Sequence, residues 1–137
     1  MMTLTKETVA IQRETDVVFF RNKAKEYAVK IGMTILGQTK LLTAASELVR
    51  NMLRYANGGQ VMLEIVVRDS LKGVRLTFSD QGPGIKDIKL AMQDGYSTGR
   101  SLGLGLPGAK RLSNEFDIKS EEGKGTTITI IRWKNGL

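Results

Sequence analysis

The chain has 137 residues, of which 41% are hydrophobic and 26% are charged, a balance typical of one ordinary globular domain. It contains no cysteine and no histidine, which excludes disulfides, thiolate nucleophiles, zinc fingers, imidazole bases and a phosphohistidine. Any metal site must therefore use oxygen ligands, as Mg²⁺ does when it accompanies phosphates.

The net charge of +7 comes from 21 basic against 14 acidic residues and favours acidic partners. The basic residues are spread along the chain and aromatic residues are few, so we do not expect a nucleic-acid partner. No apolar run approaches the roughly 20 residues that cross a bilayer, and the first residues lack the apolar segment of a signal peptide. These features predict a cytoplasmic protein with no membrane partner.

The first half of the chain predicts one strand and two helices. The alternation of polar and apolar side chains predicts a strand at residues 7–13. Asp16 can then cap a helix, and Gly32 can end it. The clearest helix spans residues 38–56, where apolar side chains recur with a 3.6-residue period. Residues before 7 and after 133 are expected to form short tails.

The second half predicts two hairpins, whose strands are residues 61–68 with 73–79 and residues 116–120 with 126–133. Helices separated by antiparallel hairpins indicate an α+β fold, not a doubly wound parallel sheet. We predict a two-layer α/β sandwich, with helices on one face of a mixed, mostly antiparallel sheet, as a single domain over residues 1–137.

Between the hairpins, the sequence predicts a short helix near residues 87–92 and a further helix at residues 104–112. The stretch between them, residues 93–102, shows no periodicity and is typical of a mobile lid.

Glu47 and Asn51 are four residues apart on the clearest helix, so their side chains share a face that is offset from the apolar stripe. The amide oxygen of Asn51 suits Mg²⁺, and the Glu47 carboxylate can accept a proton from an attacking hydroxyl. The same spacing also occurs on a solvated polar face.

Asp80 ends a predicted strand and is followed by Gly82 and Gly84, whose missing side chains let the backbone approach a ligand closely. A carboxylate there can accept the exocyclic amine of adenine, and a tight turn that closes the strand is the alternative. Thr126 can offer a hydroxyl to a polar edge of the base, although threonine also occurs in strands without such a role.

A glycine-rich segment opens the last predicted helix, where free backbone N–H groups and the helix dipole favour a phosphate. Its candidate binding residues are Gly103, Leu104, Gly105 and Gly108. Arg100 precedes it and can pair with phosphate through its planar guanidinium. The segment is neither a dinucleotide fingerprint nor a P-loop, and a lid hinge or helix packing would also explain its glycines.

Four segments, residues 47–51, 80–85, 103–108 and 123–127, together resemble the nucleotide-binding motifs of the GHKL ATPases. This superfamily includes DNA gyrase, a large heat-shock chaperone and the histidine kinases. Several motifs narrow the resemblance to the RsbT-type anti-sigma regulatory serine/threonine kinases: residues 46–51, 80–85, 95–98 and 105–112.

The resemblance implies a Bergerat-type sandwich that binds Mg-ATP between the helical layer and a lid. By the same resemblance, Glu47 is the general base and Asn51 binds Mg²⁺ and phosphate. Asp80 binds adenine with help from Thr126, and the glycines named above shape the pocket and the lid.

The partners implied by the resemblance are a STAS-domain antagonist protein, phosphorylated on serine or threonine, and a PP2C-type phosphatase or its regulator. Phosphorylation would switch partners in general stress control or a sporulation-like programme. The absence of histidine argues against a histidine autokinase. A binding module that sequesters a sigma factor or a phosphatase, without significant turnover, is the alternative. The sequence leaves the oligomeric state open.

Overall fold

A computed structural model describes residues 1–93 and 105–136. Its helices and strands are, in chain order, β1 (Met2–Ile11), α1 (Glu14–Lys30), α2 (Ile35–Ala56), β2 (Gly59–Arg68), β3 (Leu71–Asp80), α3 (Ile88–Ala91), α4 (Gly105–Arg111), β4 (Glu115–Glu121) and β5 (Gly125–Trp133). The strands form one sheet in the order β1-β2-β3-β5-β4. The predicted α+β class is confirmed, and every strand pairing within the described residues is antiparallel.

One hydrophobic core lies between the sheet and the long helices α1 and α2. Alternate strand residues such as Leu63 and Leu76 are buried in it together with Phe20 of α1 and Leu48 of α2. Successive side chains of a strand point to opposite faces of the sheet, so the intervening residues of each strand lie on the face away from this core. There Val66, Ile131 and Trp133 form a small second cluster.

β1 begins at Met2, so the prediction of a short tail before residue 7 was wrong. Met2 pairs with Val67 and Thr3 pairs with Val66 across the β1–β2 ladder. The neighbouring strand extends the ladder because its backbone groups need partners, whatever the local side-chain pattern.

α1 begins at Glu14 and its N-cap is Arg13, so the prediction that Asp16 is the N-cap was wrong. The Asp16 carboxylate lies in the first turn and reaches back to accept the N–H groups of Gln12 (2.9 Å) and Arg13 (3.2 Å). It still satisfies donors that precede the helix, because an acidic side chain two or three positions into a helix can reach them.

α2 is the longest helix and positions most of the candidate chemistry. It begins three residues earlier than the periodicity predicted, because the Thr34 hydroxyl accepts the Gly37 N–H at 3.1 Å and caps its first turn. It ends at Ala56, and its C-cap Asn57, with a left-handed φ of 59°, turns the chain toward β2. No helix in the described residues has the length and apolarity that crossing a membrane requires.

Candidate functional site

A cavity of about 470 Å³ lies between the second half of α2, the end of β3 and the start of α4. This volume falls in the usual range for small-molecule sites, roughly 300–1,000 Å³. The structure brings six of the predicted site residues together in its wall: Glu47, Asn51, Asp80, Gly84, Gly105 and Thr126.

Two of the other predicted site residues lie in the described part of the chain but do not line this cavity. Gly82 packs beside it against Ala56, and Gly108 is buried within α4. Arg100, Gly103 and Leu104 lie outside the described residues, as does the motif at residues 95–98. Their roles remain predictions.

One face of α2 supplies the cavity with a row of polar side chains. Glu47, Asn51 and Tyr55 follow one another at four-residue spacing, which places them on one side of the helix, and all three line the cavity. Sequence reasoning missed Tyr55, although its spacing from Asn51 was a usable signal. Tyr55 is 42% exposed, and the centroid of its ring lies 5.9 Å from the guanidinium carbon of Arg54.

The Asp80 carboxylate is held in one orientation by two backbone N–H groups. Its Oδ1 accepts the N–H of Gly82 at 2.9 Å and that of Thr126 at 3.2 Å. The second bond arises from the sheet, because the β3–β5 register places Asp80 opposite Thr126. Strand pairing thus brings into one wall two residues that are distant in the sequence.

The glycines of the turn after β3 are required by protein packing as well as by any ligand. A Cβ on Gly82 would lie 2.5 Å from the Cβ of Ala56 at the end of α2. Gly84 has a φ of 76°, and a Cβ there would collide with the carbonyl of Glu121. The sequence interpretation considered a ligand's approach and a tight turn but not this packing, because the packing neighbours come from other parts of the chain.

The Glu47 carboxylate joins α2 to the start of α4. Its Oε1 accepts the N–H of Gly105, the first residue of α4, at 2.8 Å. Gly105 has a φ of 63°, in the left-handed region that favours glycine. The Glu47 carboxylate, predicted as the general base, therefore also positions the start of α4.

A serine behind the cavity wall connects three of its parts. Ser120 Oγ accepts the N–H of Ile85 at 2.7 Å, lies 2.7 Å from Thr126 Oγ1, and donates to the carbonyl of Gly125 at 3.2 Å. Sequence reasoning missed Ser120, and no sequence signal distinguishes it from any other strand serine. Only the packing of the 80–85 turn against β4 gives it this place.

Comparisons with known proteins agree with this geometry. Residues 37–136 match the family described as histidine kinase-, DNA gyrase B-, and HSP90-like ATPase. The chain is 44% identical over 125 residues to the serine/threonine-protein kinase RsbT of Bacillus subtilis, covering 91% of this chain and 94% of that protein. It is 30% identical over 125 residues to the anti-sigma F factor of Geobacillus stearothermophilus, covering 86% and 84% respectively.

Among solved structures, the RsbU and RsbW domains of Rv1364c from Mycobacterium tuberculosis align with a TM-score of 0.64 and 18% identity. The alignment covers 94% of this chain and 32% of that one, and at this identity it supports the fold alone.

The chain belongs to the histidine kinase-, DNA gyrase B-, and HSP90-like ATPase family and, within it, to the family of the serine/threonine-protein kinase RsbT. The predicted family and the predicted enzyme class, a protein serine/threonine kinase, are confirmed. The use of ATP follows from membership of an ATPase family.

Proposed function

We propose that the chain, acting as a single domain over residues 1–137, transfers the γ-phosphate of Mg-ATP to a serine or threonine of a STAS-domain antagonist protein. The observation that carries this proposal is that Glu47, Asn51, Asp80 and Thr126 line one and the same cavity. The proposal is also supported by similarity to RsbT, which is named as a serine/threonine-protein kinase.

The base of the nucleotide is assigned to the Asp80 end of the cavity. Both backbone N–H groups bind Oδ1 of Asp80, so we assign Oδ2 to accept the exocyclic amine of adenine. Thr126 is the neighbouring polar group in the same wall. Apolar side chains of Met52, Phe78 and Ile128 also line the cavity and suit the flat faces of a purine.

The phosphates are assigned to the end where Asn51 and Glu47 lie. The donor set fits Mg²⁺, because the Asn51 amide supplies a neutral oxygen, and this ion commonly takes its remaining ligands from phosphates and water. Arg100 and the backbone of Gly103 and Leu104 complete the proposed phosphate contacts, whereas the N–H of Gly105 is bound to Glu47 and Gly108 is buried within α4.

Glu47 is the group that we assign to proton transfer. When the acceptor hydroxyl attacks the γ-phosphorus, its oxygen forms the new P–O bond, its proton passes to the Glu47 carboxylate, and the bond to ADP breaks. Bound Mg²⁺ would offset negative charge on the transferred group and on the leaving oxygen. Asn51, four residues along the same helix face, would hold the ion and the phosphate.

The proposed setting is partner switching in the cytoplasm, with a PP2C-type phosphatase or its regulator as the second partner. Similarity to the anti-sigma F factor supports a role in sigma-factor control. The net charge of +7 suits an acidic protein surface, because complementary charge speeds encounter and aids partner selection.

The test is incubation of the purified chain with Mg-ATP and a STAS-domain partner, followed by intact-mass measurement of the partner and peptide mapping. We expect a gain of one phosphate on a serine or threonine, and no gain when the metal is chelated or the mapped residue is changed to alanine. Binding of both nucleotide and partner without phosphate transfer would instead support the binding-module alternative.

A further inference from the structure

We propose that Ser120 sets the base selectivity of the nucleotide site by holding the Thr126 hydroxyl as a hydrogen-bond acceptor toward the cavity. The inference rests on the proposed function, because it assumes that the base binds beside Asp80 and Thr126. Ser120 does not line the cavity and acts only through Thr126, so it is a positioning residue.

The geometry around Ser120 Oγ fixes the direction of two of its three contacts. The Ile85 N–H, 2.7 Å away, can only donate, and the Gly125 carbonyl, 3.2 Å away, can only accept. The third neighbour is Thr126 Oγ1 at 2.7 Å, a hydroxyl that can do either.

Counting hydrogens assigns the third contact. A hydroxyl has one hydrogen and two lone pairs, and Ser120 uses its hydrogen on Gly125 and one lone pair on Ile85. What remains is a lone pair, so Thr126 donates its only hydrogen to Ser120. The reverse direction would leave the contact between Ser120 and the Gly125 carbonyl without a hydrogen.

The consequence is that Thr126 presents only lone pairs to the cavity. The Asp80 carboxylate opposite it in the β3–β5 register also presents lone pairs, so the two form an acceptor-only wall. The 6-amino group of adenine donates two hydrogens and suits this wall. A 6-oxo purine presents an acceptor at the same position, and a buried mismatch of this kind gives strong discrimination.

Loss of the Ser120 hydroxyl should therefore relax selectivity and not merely weaken binding. In Ser120→Ala the Thr126 hydroxyl is free to turn and donate to a 6-oxo group. Anchoring of the 80–85 turn through Ile85 is lost as well, but that change affects all nucleotides alike. The ratio of two affinities separates the two effects.

The experiment measures Kd for Mg-ATP and Mg-ITP, which differs from ATP in bearing a 6-oxo group, by calorimetry on the full chain. We expect wild-type chain to prefer ATP, Ser120→Ala to lower that preference by about tenfold, and Ser120→Thr, which keeps a hydroxyl, to retain it. If Ser120→Ala does not fold, Thr126→Val provides the second test, because it removes the oriented hydroxyl and should lower the preference by a similar factor.

An unchanged preference in Ser120→Ala that binds ATP, or in Thr126→Val, would overturn the role of Ser120 and leave the proposed function intact. Failure of the wild-type chain to bind either nucleotide would count against the proposed function itself. The double variant adds a further check, because Ser120→Ala should no longer alter the ratio once Thr126 is valine.

Discussion

Replacing Glu47 by glutamine or by alanine separates two roles of this side chain, the proposed general base and the acceptor of the Gly105 N–H. Glutamine keeps a carbonyl oxygen of the same shape that can accept the Gly105 N–H, now 2.8 Å from Glu47 Oε1, but it cannot take a proton at neutral pH. Alanine removes both the base and the acceptor. The comparison therefore distinguishes a chemical role from a positioning role.

The expected magnitudes differ between the two variants. Loss of a general base lowers a rate by about 10² to 10⁴, so both variants should lose at least roughly 100-fold in phosphoryl transfer. A neutral hydrogen bond contributes about 1 kcal/mol, so glutamine should change the ATP Kd by no more than about fivefold. Alanine leaves the Gly105 N–H without this acceptor and should weaken ATP binding by about tenfold or more.

The assay combines single-turnover phosphorylation of the STAS-domain partner with calorimetric titration of Mg-ATP into each variant. A Glu47→Gln variant that phosphorylates the partner at the wild-type rate would refute the base assignment. An alanine variant that binds ATP as tightly as the glutamine variant would refute the positioning role of the Glu47–Gly105 bond.

Three further predictions concern the adenine contact of Asp80, the turn at Gly84 and the buried ion pair of Glu64. Asp80→Asn should weaken ATP binding at least about tenfold by calorimetry, because the substitution puts an amide where the amine needs an acceptor. Gly84→Ala should lower the free energy of unfolding by about 2 kcal/mol in urea titrations, since its φ is 76° and a Cβ would collide with Glu121. Glu64, 3% exposed, is hydrogen-bonded by Arg75, which lowers the pKa of Glu64, so Glu64→Gln should destabilise the chain by about 3 kcal/mol at neutral pH.

The sign of the Glu64 effect follows from the direction of its pKa shift. Because the pKa is lowered in the folded state, the ion pair stabilises the chain above the usual carboxylate pKa, and this contribution is lost as the pH falls through the lowered value. Unfolding followed by the fluorescence of Trp133, the only tryptophan, should show the stabilities of the two proteins converging as the pH falls through the lowered pKa of Glu64.

The remaining outcomes that would contradict these predictions are specific to each variant. Equal ATP affinity in Asp80→Asn would remove the adenine contact. Gly123→Ala is the matched control for Gly84→Ala, because Gly123 has a φ of 81° but nothing within 4 Å of an added Cβ. Equal destabilisation by the two would attribute the effect to backbone strain alone. A gap between wild type and Glu64→Gln that stayed constant in acid would contradict the ion-pair account.

The sequence predicted the elements whose pattern is local. α2 was found because its apolar residues repeat along one helix, and that repeat also placed Glu47 and Asn51 on one face. The β2–β3 hairpin was also found, and the structure closes it with a two-residue turn at Asp69 and Ser70, whose φ values are 51° and 70°.

Features that depend on distant parts of the chain could not be predicted in this way. Glu64 sits in an alternating strand like a solvent-facing residue, yet it is buried by Arg75 and by Thr3 of β1. Arg132 is 2% exposed, and its guanidinium donates to the carbonyls of Leu112 (2.9 Å) and Gly136 (3.1 Å). Burial lowers the pKa of Arg132, and nothing in the local pattern around either charge indicates that it is buried.

In the candidate site as well, residues in local motifs were predicted and residues that depend on distant contacts were missed. Residues in recognisable local motifs, such as Asp80 and Asn51, were predicted and are in the cavity wall. Ser120 was missed because its importance comes from Ile85 and Thr126, which strand pairing and the turn bring to it.

The central claim is that this chain is a catalyst of phosphoryl transfer and not only a nucleotide-dependent binder. The most direct measurement is the number of phosphates transferred to an excess of STAS-domain partner per molecule of chain, followed over time by intact mass under saturating Mg-ATP. We expect this number to rise steadily past one. A partner that stays unmodified while it binds the ATP-loaded chain would contradict the account.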